Sequence, residues 1–338
     1  MLYTDLLERS EYSFIRENEH LGKNIILLGF GGSISYGTDN PYSDIDVRGI
    51  TLNRKQELIG LEQFEQYTDE GTDTVIYGLM KIMNLLMNCN PNTIELLGLK
   101  PEHYLILSDI GKQLIENTDM FLSKRAIQSF GGYADAQLRR LQNALARDSL
   151  PQQEKEKHIF NSVRNAMYHF NAHYKSFESG ALRIYIDQSE HPDFETEIFV
   201  DASLKHYPLR DYRNMWQDMS NIVREYDKIG KRNKKKDDNH LNKHAMHLIR
   251  LFMMGIDILE KGKVITYRGD DLELLLRIRN GEMRTENGFS EEFYDLVADY
   301  EKKLHYAAEN TTLPDEPDRN RISEFVMSVN ERVVRDEI

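Results

Sequence analysis

Residues 29–49 read GFGGSISYGTDNPYSDIDVRG, and the fold turns on them. In front stands KNIILLGF (23–30), a short apolar run between charge and glycine, the pattern of a buried strand. Gly31 and Gly32 follow, allowing a sharp turn and close backbone approach. Ser33 sets a hydroxyl beside exposed backbone N–H groups, so strand, glycine turn and short helix make a ready anion site. The next segment, DIDVRGITL (44–52), alternates and predicts a second strand. Residues two apart on a strand share a face, which puts Asp44, Asp46 and Arg48 together. Two carboxylates so close repel unless a divalent cation sits between them. Magnesium fits, because it takes oxygen ligands and fills its shell with water and phosphate.

A phosphate-cradling turn beside a carboxylate pair points to metal-assisted phosphoryl or nucleotidyl transfer. In two-metal chemistry one ion activates the attacking hydroxyl and the other holds the leaving pyrophosphate. A third carboxylate on a neighbouring strand completes such a site. QFEQYTDEGTDTVIY (63–77) reads as a hairpin turning at Asp69–Gly71, with Asp73 on its second arm. Asp73 is the natural third ligand, while Asp69 and Glu70 fall in the turn. Arg48 is expected as a counter-charge to the aspartates rather than a phosphate contact.

Gly32-Ser33 followed by Asp44-Ile45-Asp46 resembles the signature of the DNA polymerase β-like nucleotidyltransferase superfamily. The longer string GSISYGTDNPYSDIDVRGI (32–50) resembles its bacterial and phage branch of predicted nucleotidyltransferases of the YcgL and RlaP type. DTVIYGLMKIMNLLMNCNPNTIELL (73–97), KHAMHLIRLFMMGIDILEKGKV (243–264) and TTLPDEPD (311–318) are similar to later motifs of that branch; 181–201 matches nothing in it. The resemblance implies transfer of a nucleoside monophosphate from a nucleoside triphosphate to an acceptor hydroxyl, with Mg2+ or Mn2+. Asp44 and Asp46 would hold both metals. Asp73 would contact the acceptor-side metal and act as general base. Gly32 and Ser33 would bind the β and γ phosphates. The branch's link to RNA repair suggests an RNA end as acceptor, with a small molecule or a protein hydroxyl as alternatives. The rival from another class is a regulatory module that senses triphosphate without turning it over; the intact carboxylates disfavour it.

Composition limits the partners. Lys plus Arg number 43 against 56 Asp plus Glu, a net charge of −13 over 338 residues. Any RNA is therefore held at a limited basic patch rather than along an extended backbone path. The lone cysteine, Cys89, excludes an internal disulfide and a cysteine-rich zinc site. No run reaches the ~18 apolar residues of a membrane span, and the acidic start MLYTDLLERSEYSF does not read as a leader, so a cytoplasmic protein without membrane contact is expected.

The expected architecture is α+β, in two domains. A small mixed-sheet nucleotidyltransferase domain spans 1–118, opening on a helix over the first 22 residues. A mainly helical domain spans 119–338, with helices near 124–147, 154–178, 203–229, 239–261, 270–279, 290–309 and 319–335 and a hairpin within 181–201. KRNKKKDD (231–238) reads as a solvated loop. Lys243, His247 and Arg250 lie at i, i+4 and i+7 and share a helix face. They are the candidate cations for a triphosphate, because the front half offers only Arg48 within its motif. Lys124 and Arg125 are weaker candidates. Zinc at His240, His244 and His247 is disfavoured for want of a fourth ligand. Tyr133, Arg139 and Arg140 read as an ordinary helix face, and Asp315 and Asp318 as turn or cap residues.

Overall fold

Strand β1, Ile25–Phe30, is buried along its whole length, as its unbroken apolar run predicts. It lies inside a five-stranded mixed sheet with β2 (Val47–Thr51), β3 (Gln66–Asp69), β4 (Thr74–Gly78) and β5 (Tyr104–Leu107), in the order β3-β4-β2-β1-β5. Pairing is antiparallel except between β2 and β4, where Val47 lies opposite Thr74. Each fully buried Ile or Leu of β1 contributes about 1.5–3 kcal/mol of burial, enough to make this strand the anchor of the sheet. The computed structural model describes residues 3–41, 43–148, 182–188, 196–202, 208–232, 238–285 and 288–338.

The α+β class is as expected, and several elements differ in detail. Residues 3–17 form short turns, Tyr3–Glu8, Ser10–Tyr12 and Phe14–Glu17, instead of the one helix expected over the first 22 residues. The breaks let Leu6, Tyr12 and Ile15 all enter the core against Ile25, Leu28 and Phe30; positions 6, 12 and 15 do not fall on one stripe of a straight helix. The second strand starts at Val47, so Asp44 and Asp46 lie in the extended segment leading into it. Asp73 likewise precedes β4, in the turn that Asp69 closes by accepting from Thr72 N at 2.9 Å. Helices occupy Arg125–Asp148, Leu209–Arg232, Asp238–Lys261, Leu272–Arg279, Glu291–Asn310 and Arg319–Val334. Leu182–Gln188 and Thr196–Ala202 pair as the arms of the expected hairpin. The helix expected at 154–178 and most of the 231–238 charge run lie outside the described residues. Among the described residues no helix is long and apolar enough to cross a membrane.

The chain divides differently from the boundary expected near residue 118. Met1–Arg140 and Asn242–Ile338 form one compact unit, and Leu141–Leu241 another. Within the first unit, the segment after the Asp238–Lys261 helix is stitched onto the sheet half. Thr266 Oγ1 donates to Gly98 O at 2.9 Å, and Arg268 N to Tyr36 O at 3.4 Å. The Arg268 guanidinium, 4% exposed, is held by Asp257, which also receives Lys261 at 2.7 Å. Asp257→Ala leaves that buried guanidinium without its acid. The expected loss is about 3–5 kcal/mol, read as a lower midpoint in urea, whereas a loss below about 1 kcal/mol would mean that Arg268 is solvated.

Candidate active site

The site forms where β1 ends and β2 and β4 begin. Gly31 N donates to Asp46 O at 2.9 Å, and Val47 N to Asp73 O at 3.2 Å. These two bonds extend the β1–β2 and β2–β4 ladders by one step, bringing Gly31, Asp46 and Asp73 side by side. Gly32 follows with φ of 57°. A Cβ there would lie 1.7 Å from Asp46 Oδ2, so only glycine lets the carboxylate tuck against the turn. Asp73 also has a positive φ, 44°. For a residue with a side chain that costs on the order of 1–3 kcal/mol, and such strain gathers at functional positions.

Asp46 and Asp73 converge closely enough to share a proton. The Asp46 carboxyl is pushed up to about 7, chiefly by burial and next by its hydrogen bond with Asp73, against the pull of Arg48 and Lys243. Asp73, the more exposed partner, is held below the usual carboxylate range by the hydrogen bond from Asp46 and by Arg48. Arg48 bridges them, with Nη2 3.0 Å from Asp73 Oδ1 and 3.5 Å from Asp46 Oδ1. It also donates to the Asp73 carbonyl. Arg48 is thus the counter-charge it was expected to be. Asp44 is exposed, two residues upstream. Among the described residues no three His, Cys, Asp or Glu side chains cluster as a metal site. The convergent pair still suits a hard cation: two carboxylates sharing a proton are oxygen donors short of positive charge, and magnesium needs only one or two protein carboxylates when phosphates supply the rest.

The cation face of the Asp238–Lys261 helix borders this pair. Lys243 is exposed, and its charge acts on both Asp46 and Asp73. Arg250 is buried, with its guanidinium carbon 3.7 Å from the Tyr36 ring centre and Nη1 3.5 Å from Gly32 O. Its Nη2 donates to His247 Nδ1 at 2.8 Å. His247 is held well below its ordinary value, first by burial and then by Arg250, His244 and Lys243, so it is neutral at pH 7. Ser33 sits in the first turn of the Gly32–Tyr36 helix and is 6% exposed. Lys124 and Arg125 are elsewhere, paired with Asp315 at 2.7 Å and Glu316 at 2.6 Å. Asp318 caps the last helix by accepting from Arg321 N. His244 lies against Gln137 Nε2, at 2.5 Å.

Sequence reasoning missed three residues here. Tyr36 donates to Glu95 Oε2 at 2.8 Å beneath the glycine turn, and Glu95 is pushed up by burial against the pull of Arg250. An acid inside the apolar run TIELLG was a readable signal of a buried partner. Arg279 gave no such signal. Its Nη2 donates to Ser43 Oγ at 3.0 Å, while Nη1 is shielded from solvent and has no hydrogen-bond partner among the described residues. Burial lowers its pKa, with Asp39 and Arg250 nearby.

A turn that admits a carboxylate against its glycine, two acids meeting at strand ends and flanking cations fit a phosphate-transfer site. Residues 8–171 match the model of the family described as RlaP, the RNA repair pathway DNA polymerase beta family. The front of the chain is thus similar to a polymerase β family. The match takes in Gly32, Ser33, Asp44, Asp46 and Asp73, covers just under half the chain, and ends before Lys243, His247 and Arg250. No curated protein and no solved structure gives a significant match.

The shared proton has a measurable consequence. Folded, metal-free protein keeps the Asp46 proton up to about pH 7, whereas an unfolded aspartate releases it near 3.8. Between those limits the folded state binds more protons, so stability falls as pH rises, by at most about 1.4 kcal/mol per pH unit. The lowered Asp73 acts only below that window. In EDTA, Asp46→Asn should therefore melt progressively above wild type between pH 5 and 8. A difference independent of pH in thermal melts would contradict the shared proton.

Proposed function

We propose that the protein is a metal-dependent nucleotidyltransferase that moves a nucleoside monophosphate from a nucleoside triphosphate to an acceptor hydroxyl, and that the acceptor is an RNA end. The observation that carries the reading is the convergence of Asp46 and Asp73 beside the Gly32 turn, with the cations Lys243, Arg250 and Arg279 bordering it. The family match supports the reaction class and the RNA link.

Asp46 and Asp73 would hold Mg2+ or Mn2+, with Asp44 joining from the preceding segment, and the ion would supply charge neutralisation at the triphosphate and acidify the acceptor hydroxyl. The acceptor oxygen attacks the α phosphorus. The new bond forms there as the bond from that phosphorus to the bridging oxygen of the β phosphate breaks, and pyrophosphate leaves. Asp73 takes the hydroxyl proton. The backbone around Gly32 and the Ser33 hydroxyl bind the β and γ phosphates. Lys243 and Arg250 offset the charge that develops on the leaving pyrophosphate. His247, neutral, orients the Arg250 guanidinium by accepting its Nη2 hydrogen bond.

Incubation with each α-labelled triphosphate, Mg2+ or Mn2+, and RNA should give labelled RNA and pyrophosphate. Asp46→Asn and Asp73→Asn should abolish transfer. Ser33→Ala removes one hydrogen bond to a charged group, worth about 1.5–3 kcal/mol, and should lose about ten- to a hundredfold in kcat/KM. Tight triphosphate binding without pyrophosphate release over hours would favour a sensing module. Label on a small molecule or on the protein itself would move the acceptor to that class.

The cations can be tested separately. Lys243→Ala and Arg279→Ala should raise KM for the triphosphate while leaving the ligand-free melting temperature nearly unchanged. Arg250→Ala should also lower that temperature, because it strips the buried Glu95 of a nearby positive charge. Unchanged KM in all three variants would remove these cations from the site.

A further inference from the structure

Tyr133 and Arg140 do not sit on an idle helix face. Both line a cavity of about 540 Å³ along the Arg125–Asp148 helix, together with Asn92, Gln137 and His247. That volume is within the ~300–1,000 Å³ range of small-ligand sites. A second cavity of about 600 Å³ adjoins it: Gln128 and Ser129 line both, and it continues past Asn88 to Lys124. The two form one groove along the helix.

The near cavity reaches the cation face beside the Gly32 turn: His247 is one of its walls and accepts from Arg250 Nη2, and Arg250 Nη1 lies 3.5 Å from Gly32 O.

Its chemistry is selective. Among the described residues the near cavity has no carboxylate in its lining, although the protein carries a net charge of −13. It offers Arg140 as a cation and neutral amides and a hydroxyl as hydrogen-bonding groups. His247 accepts at Nδ1, which leaves Nε2–H as a donor. In the far cavity the two acids, Asp315 and Glu316, are engaged by Lys124 and Arg125. Tyr133 is 39% exposed, and its hydroxyl accepts from Asn90 Nδ2 at 3.2 Å. Gly132, on the same helix, leaves the surface open, with nothing within 4 Å of where a Cβ would stand.

We infer that this groove holds the acceptor strand: a single-stranded polynucleotide whose terminal base stacks on Tyr133, whose phosphate meets Arg140, and whose following nucleotides run past Gln128. The inference rests on the nucleotidyltransferase reading for its catalytic meaning. Its continuity over two cavities favours a chain over an isolated small molecule, and base–aromatic stacking needs no particular sequence.

The test uses the full-length protein and an oligoribonucleotide carrying 4-thiouridine at its 3′ end. Irradiation should crosslink it to a peptide from residues 125–148 or to the one bearing His247. Tyr133→Ala and Arg140→Ala should each weaken oligonucleotide binding about tenfold, and Gly132→Trp, which fills open space, should abolish it. All three should keep the wild-type melting shift with Mn2+ and triphosphate. Crosslinks only elsewhere, or variants that bind the oligonucleotide like wild type, would overturn the groove. Crosslinking decides this whether or not transfer is seen. Wild-type transfer to RNA with unchanged KM in the variants would overturn the groove and leave the transferase reading standing. Absence of transfer to any acceptor, with the crosslink intact, would instead overturn the catalytic reading.

Discussion

Two carboxylates forced together at the mouth of a sheet are the constraint on which the rest of this protein depends. At about 4 Å, two like charges near a protein surface repel by roughly 4 kcal/mol. Asp46 and Asp73 nevertheless meet, because the β1–β2 and β2–β4 ladders each run one bond past their strands, through Gly31 and Val47. The repulsion is relieved by a shared proton and by Arg48, which grips both acids. A glycine with positive φ at position 32 and a strained backbone at Asp73 follow from that crowding. A site built this way is short of positive charge until a cation arrives.

The second consequence is a dependence on distant chain. The glycine turn rests on Tyr36, which is pinned from below by Glu95 and capped by the Arg250 guanidinium. Arg268 N then bonds to Tyr36 O, and its side chain to Asp257. Residues more than two hundred positions apart thereby form one buried polar cluster. Such a cluster is stable only when every member is satisfied, which ties the shape of the phosphate turn to the packing of the Asp238–Lys261 helix. It also explains why Asn242–Ile338 belongs to the same compact unit as the sheet.

Much of this was legible in the residues. The apolar run 25–30, the glycine turn, the hairpin around Asp69–Gly71 and most helix positions follow from local patterns of burial, turn chemistry and 3.6-residue periodicity. Tyr133 and Arg140 line a cavity together with Asn92 and His247 from other helices, a placement that no local pattern carries. Arg279 was invisible for the same reason: an arginine ending a helix looks like any surface arginine until Ser43 and Arg250 surround it.

The sequence by itself determined the α+β class, the strand–turn–strand order and the residue types that meet at the site, because these depend on short-range periodicity and on what each side chain can do. Only the tertiary structure decided that β2 begins after Asp46, that Asp73 rather than the exposed Asp44 is its near partner, and that the front half and the last hundred residues close into one unit around Tyr36. The reason is that ladder register and the burial of Arg250, Glu95 and Arg268 are set by contacts across long sequence separations, for which no local pattern carries a signal.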